Sequence, residues 1–196
     1  MNTSSPLSKK GKGFTLLELM IVITVITILM TLLFPIFKRT QEKANRISCM
    51  NNLSQIYKAI VLYSMDSQES YPSNFVVLAK YLQEGEMLKC KSDKWRTISS
   101  IANLTSGNGN QFCSYNLMVR DASNNCPITA SSASAIVLAC DKDGNNNNVT
   151  RSGFGKNHGG EGGHVLYNSG SVKWMNTEAW ITNDQGGADL NSVVGF

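Results

Sequence analysis

Three groups of residues in this 196-residue chain have the type and spacing to do chemistry. The first is a lone carboxylate. Glu18 is the only charged residue between Phe14 and Phe37, a run of 24 residues with 18 apolar side chains, four threonines and one proline, Pro35. A carboxylate inside a membrane-length segment costs on the order of a few kcal/mol, so it marks a functional position that calls for a cationic partner. The second group is Asp141, Asp143, Asn145 and Asn147, four oxygen-bearing side chains at alternate positions. Calcium takes about six to eight such oxygens, so this loop is a candidate calcium site. Its fit to a helix–loop–helix calcium loop is poor, because Gly144 falls too early and Ser152 stands where a bidentate glutamate belongs. A polar loop built on Asx turns is the competing reading.

The third group is five cysteines and two histidines. Cys49, Cys90, Cys113, Cys126 and Cys140 include no Cys-x-x-Cys pair, which argues against a structural zinc site. An odd number leaves at least one unpaired within the chain. Cys113 with Cys126 would close a compact loop, and Cys90 with Cys113 is equally arguable. His158 and His164 lie among glycines with no nucleophile or acid placed beside them by sequence, and read as surface-loop residues or turn partners. Trp174 and Trp180 read as packing residues.

The elements that must position these residues begin with one long helix. Nothing between Phe37 and Met65 breaks a helix, and the Tyr71-Pro72 step should end it. A helix from Phe14 to Ser70 would be about 85 Å long at 1.5 Å per residue. Residues 14–37 are apolar all round. Over residues 38–70 Ile47, Met50, Leu53, Tyr57, Ile60 and Ser64 recur at three to four residues, a single stripe that must be buried against a domain. Pro35 removes a backbone donor, either as a proline tolerated in a span or as a place where the helix kinks or melts. Phe75–Leu82 reads as a short helix or turn. Beyond it Gly, Asn and Ser become dense, and strands are expected near Phe112–Val119, Ala135–Cys140, His164–Tyr167 and Val172–Met175. The last two flank Asn168-Ser169-Gly170-Ser171, a hairpin turn. The fold class is α+β, a long N-terminal helix packed on a small antiparallel sheet in a lollipop shape.

Composition sets further bounds. The formal net charge is +4, and Lys9, Lys10 and Lys12 in the first 13 residues supply three of those charges, so basicity gives no argument for nucleic-acid binding. The lysines before the run are matched by Lys38, Arg39, Lys43 and Arg46 after it, so counting positive charge does not orient the segment. A cleavable secretory signal would have an apolar core of about 7–15 residues and a small-x-small site, and neither is present.

Gly13-Phe14-Thr-Leu-Leu-Glu18, preceded by a short basic leader and followed by an unbroken apolar helix with Pro35 at the twenty-second residue after Gly13, resembles the type IV prepilin family, and most closely its type II secretion pseudopilins of the major, G-type. The resemblance implies a leader, residues 1–13, removed by a prepilin peptidase between Gly13 and Phe14, and methylation of the new Phe14 amine. It implies that Glu18 pairs with the terminal amine of a neighbouring subunit during assembly. It implies a transmembrane half-helix over 14–37, a stalk over 38–70 and a globular domain over 71–196. The leader would lie in the cytoplasm and the rest in the periplasm, where disulfides are permitted.

More loosely, Cys49-Met-Asn-Asn-Leu-Ser-Gln-Ile resembles the helix segment of a secretion-type subfamily. Lys89-Cys90-Lys-Ser-Asp93 resembles its Cys-Pro-Ser-Asp, and His158 with the turn before Val172 resembles its His-x9-Asp-Gly element. Here Asn168-Ser169-Gly170 replaces Asp-Gly, which puts a role for that aspartate in doubt. Major pseudopilins of this kind often hold calcium in C-terminal loops, which adds to the reading of Asp141 to Asn147.

The implied task is structural and not enzymatic: a membrane-stored subunit polymerised into a periplasmic filament for protein secretion. Its partners would be prepilin peptidase, further pseudopilin subunits and an inner-membrane assembly platform with its ATPase. No cofactor is required beyond the candidate calcium. A surface pilus subunit serving adhesion, motility or DNA uptake carries the same N-terminal residues. A tethered periplasmic binding module or enzyme is the alternative of another class.

Overall fold

The structure, a computed structural model, describes residues 13–94, 113–118, 128–141 and 157–178, and the backbone of 194–195. It divides into two compact units, Met1–Gln41 and Glu42–Phe196, a boundary a few residues beyond Phe37. Helix α1, Leu16–Asp66, contributes to both, and it remains helical through Pro35.

In the first unit the sequence dictates a helix with no inward face. Every apolar residue from Phe14 to Phe37 is exposed, and its hydropathy and length suffice to cross a membrane. The threonine hydroxyls turn back onto the helix. Thr24 donates to the Met20 carbonyl (2.6 Å), Thr27 to that of Ile23 (2.9 Å) and Thr31 to that of Ile28 (2.8 Å).

The second unit is α+β, as expected. The α1 residues from Glu42 onward pack against a five-stranded sheet of order β4-β3-β2-β1-β5. Its strands are β1 (Tyr115–Met118), β2 (Val137–Asp141), β3 (Gly162–Tyr167), β4 (Val172–Asn176) and β5 (Val194–Gly195), antiparallel throughout. Four of these answer the four expected strands. The two-residue β5 has no sequence signal and exists by pairing Val194 with Met118. Short helix α2 (Phe75–Leu78) starts at Asn74, whose side chain accepts from the Val77 N–H (3.1 Å).

The buried stripe of α1 is rotated from the expected one. Cys49, Leu53, Ile56, Ala59, Ile60 and Ser64 face the core, whereas Ile47 is 57% exposed. Cysteine packs as a small apolar residue, and counting Cys49 as one shifts the stripe to the observed phase. Leu53, Ile56 and Ile60 meet Leu117, Leu138, Val165 and Leu166 in one core, each such burial stabilising by about 1.5–3 kcal/mol. Helix α1 also ends before Tyr71-Pro72. Gln68 and Glu69 adopt φ of 52° and 63°, and the Glu69 N–H closes the helix on the Ser64 carbonyl (2.9 Å).

The β3–β4 hairpin is the expected one. Gly170, at φ 78°, makes the turn, and a Cβ there would stand 2.6 Å from the Tyr57 ring of α1. Asn168 is buried. Its Oδ1 accepts from the Tyr71 hydroxyl (2.7 Å), and its Nδ2 donates to the Ser132 carbonyl (2.7 Å). An aspartate has no donor for that second bond, which gives the asparagine a physical reason at this turn.

Candidate functional site

Two places in the chain gather polar chemistry, and they are built differently. The first is the start of α1. The Glu18 carboxylate accepts from the Thr15 N–H (2.9 Å) and the Thr15 hydroxyl (2.9 Å), while the Thr15 Oγ1 accepts from the Glu18 N–H (3.2 Å). This is a capping box, Thr at the N-cap and Glu three residues on. The Thr15-x-x-Glu18 spacing ahead of an apolar run signals it in the sequence, a second use for Glu18 that the resemblance alone does not bring out. Gly13 is exposed, with nothing within 4 Å of where a Cβ would stand, and Phe14 is 74% exposed. The Gly13–Phe14 peptide is therefore open to a macromolecular partner.

The second place is a buried cluster in the other unit. His158 sits at its centre, in a 3-10 turn (Asn157–Gly160) that holds it at φ 54°. A bulky residue occupies that region only when its surroundings fix it, and three do. The ring Nδ1 lies 2.7 Å from Glu42 Oε1 of α1. Its Nε2 lies 3.3 Å from Cys90 Sγ and 3.4 Å from Asp141 Oδ2. Asp141, at the end of β2, also accepts from the His164 N–H (2.7 Å) and lies 3.3 Å from His164 Nδ1. Trp174 of β4 stands edge-on to both imidazoles, at centroid distances of 5.4 and 4.9 Å. Its face is covered by the Arg46 guanidinium at 4.1 Å, and Arg46 also pairs with Glu161.

Charge inside this cluster is stabilised by neighbours and not by water. Burial works against a protonated His158, but Asp141, Cys49 and Glu42 outweigh it and push its pKa up to about 10. A hydrogen bond from Cys90 lowers the Cys49 thiol to about 6 against the opposing effect of burial. Burial raises the Asp141 carboxyl, and the bonds from His158 and His164 more than offset it, leaving it below its usual value.

The predicted residues therefore divide. Gly13, Phe14 and Glu18 stand together at the head of α1, and Pro35 lies within it. Of the candidate calcium ligands, Asp141 is wholly buried and turned toward the two histidines; Asp143, Asn145 and Asn147 lie outside the described residues. His158 and His164 are not surface-loop residues: both are buried, because glycines 159, 160, 162 and 163 let the backbone bring their rings under Trp174. Cys90 meets Cys49, which the local spacing does not put forward, and both are thiols. Cys113 is buried at the start of β1, where its sulfur accepts from the Tyr115 N–H (3.4 Å), and Cys126 lies outside the described residues. Trp180 lies outside them as well, while Trp174 lines the cluster. The Cys90-x-Ser92-Asp93 loop has a use for each member. Ser92 donates to Glu42 Oε2 (2.9 Å), and the buried Asp93 accepts from the Ser114 hydroxyl (2.8 Å).

An exposed apolar helix, capped through Thr15 and Glu18 behind an open Gly–Phe peptide, defines a class of protein: one bearing the prokaryotic N-terminal methylation motif, whose family model matches residues 8–34. The chain is also similar to type II secretion system core protein G. It is 29% identical to that protein of Escherichia coli (strain K12), over 44% of this chain and 68% of the relative. It is 36% identical to that of Pectobacterium carotovorum subsp. carotovorum, over 33% of this chain and 40% of the relative. It is 34% identical to that of Klebsiella pneumoniae, over 33% of this chain and 46% of the relative. The chain thus spans less than half the length of the second and third of these relatives. No solved structure matches it.

Proposed function

We propose that the chain is a structural subunit of a type II secretion pseudopilus, with no catalytic task of its own. The observation that carries this reading is the coincidence, at one end of the chain, of the methylation motif over residues 8–34 with a membrane-length helix exposed on all sides. The similarity to core protein G supports the secretion filament over a surface pilus.

The physical sequence runs as follows. The chain rests in the inner membrane with the leader in the cytoplasm and the globular domain in the periplasm. Prepilin peptidase hydrolyses the Gly13–Phe14 bond and methylates the new amine. An assembly platform and its ATPase draw the helix out of lipid into a bundle of like helices, where apolar packing supplies cohesion. Glu18, which in the single chain has only Thr15 as a partner among the described residues, there meets the Phe14 ammonium of a neighbour. A carboxylate in an apolar bundle is strongly disfavoured without such a partner, so the pair sets register.

Intact mass and N-terminal sequencing of the protein from its native membrane, beside a strain lacking prepilin peptidase, tests this. The expected result is a chain beginning at methylated Phe14 in the first and an uncut chain in the second. An uncut Met1 terminus in both would sink the proposal and leave the helix as an anchor.

A further inference from the structure

The buried cluster has an acceptor that its hydrogen bonds do not use. Asp141 is wholly buried, yet its Oδ1 has no hydrogen-bond partner among the described residues, and leaving a buried acceptor unpaired costs about 1–3 kcal/mol. The ligand atoms of Cys49, Cys90 and His158 lie within 4.8 Å of one another, as do those of Asp141, His158 and His164. His158 belongs to both sets, so the two sets adjoin at its ring.

We infer that Cys49, Cys90 and His158 form a site for a zinc-class divalent ion that clamps the globular domain, its fourth tetrahedral position open beside Asp141. Zinc binds sulfur at about 2.3 Å and nitrogen or oxygen at about 2.0–2.2 Å, so the edges of its tetrahedron are about 3.3–3.7 Å. The observed edge from His158 Nε2 to Cys90 Sγ is 3.3 Å, and Asp141 Oδ2 lies 3.4 Å from the same nitrogen. Two thiols and an imidazole select zinc over calcium, which takes oxygen ligands. Supporting contacts are also in place. Glu42 holds Nδ1 of His158 and so presents Nε2 to the ion, the carboxylate–histidine–metal arrangement common in zinc proteins. The His164 N–H orients Asp141 from the other side.

On binding, the ion displaces the protons of both thiols and of any imidazolium, which leave to solvent. The three ligands come from α1, the loop after residue 88 and the turn before β3. One ion therefore ties together three segments far apart in the chain.

The test uses the full-length chain in detergent, without a histidine tag, reduced and titrated with Co(II) and then Zn(II). The expected result is one metal per chain, with the visible bands of tetrahedral cobalt and a thiolate-to-cobalt charge-transfer band, both displaced by zinc. Cys90→Ser should lose most of the charge-transfer intensity, and His158→Gln should weaken affinity at least tenfold. Zinc should protect Cys49 and Cys90 from alkylation in the wild-type chain, and a chelator should restore it, a readout that survives even if a variant misfolds. A reduced wild-type chain that takes up no cobalt would overturn the inference. So would alkylation unaffected by zinc, or isolation from the native membrane with Cys49 and Cys90 joined as a disulfide. None of these readouts depends on cleavage after Gly13, so the metal site and the pseudopilus reading fail separately.

Discussion

Residues 14–41 and the unit that begins at Glu42 treat their polar and apolar groups in opposite ways. In the first, the apolar side chains face outward and the polar groups are satisfied within a turn of themselves, as Thr15 and Glu18 are. In the second, apolar side chains are hidden, and the central polar cluster is assembled from residues up to 116 positions apart, as Glu42 and His158 are. The difference separates two sources of order. The first unit is complete as a helix but incomplete as a surface, so what finishes it lies outside the described residues. The second finishes itself.

That contrast can be broken most sharply at Glu18. Glu18→Ala should abolish filament assembly while membrane insertion persists, because an unpaired Phe14 ammonium in an apolar bundle costs about 3–5 kcal/mol per contact. Glu18→Gln retains the amide oxygen that the capping box needs but not the charge. It should fail as badly as the alanine variant in a filament-shearing assay; assembly at wild-type level would make Glu18 a cap and nothing more. Next in size is Leu53→Ala, in the core of the second unit. It should lower unfolding free energy by about 2–5 kcal/mol in a denaturant titration, whereas Leu29→Ala in the exposed helix should leave that transition within about 0.5 kcal/mol. Gly170→Ala drives a methyl group into the Tyr57 ring at a left-handed backbone position. It should cost about 1–3 kcal/mol by the same measurement. The smallest effect belongs to Thr15→Ala. Loss of the cap alone is worth about 1 kcal/mol, so assembly should fall far less than in Glu18→Ala; an equal fall would assign the work of Glu18 to the cap.

Much of this was legible in the sequence, and the reasons for the rest are physical. The helix from Leu16, four of the strands and the Asn168–Ser171 turn follow from periodicity and turn chemistry, which are local. Gly13, Phe14 and Glu18 could be read because their spacing is itself the signal. The Thr15-x-x-Glu18 box was equally local and needed only to be weighed beside the charge. The buried cluster is not local at all. Cys49, Cys90, Asp141 and His158 are brought together by the crossing of a helix, a loop, a strand end and a turn, and no spacing between neighbours announces it. The absence of a Cys-x-x-Cys pair excludes only ligands that lie close in sequence. Glycines around His158 and His164 suggest a loose surface loop, yet here they serve a tight turn that carries both rings inward.

The threonines of the exposed helix have one more effect. Because the hydroxyls of Thr24, Thr27 and Thr31 are already held by carbonyls of their own helix, a neighbour meets methyl groups there and no unengaged donor. Exchanging a lipid tail for another helix then breaks no polar bond at these positions, and such a helix can rotate or slide against its neighbours without a fixed polar contact to hold it back. A segment greased in this way sorts its companions by shape and by the single carboxylate at its head, and it stays free to move until that carboxylate is matched.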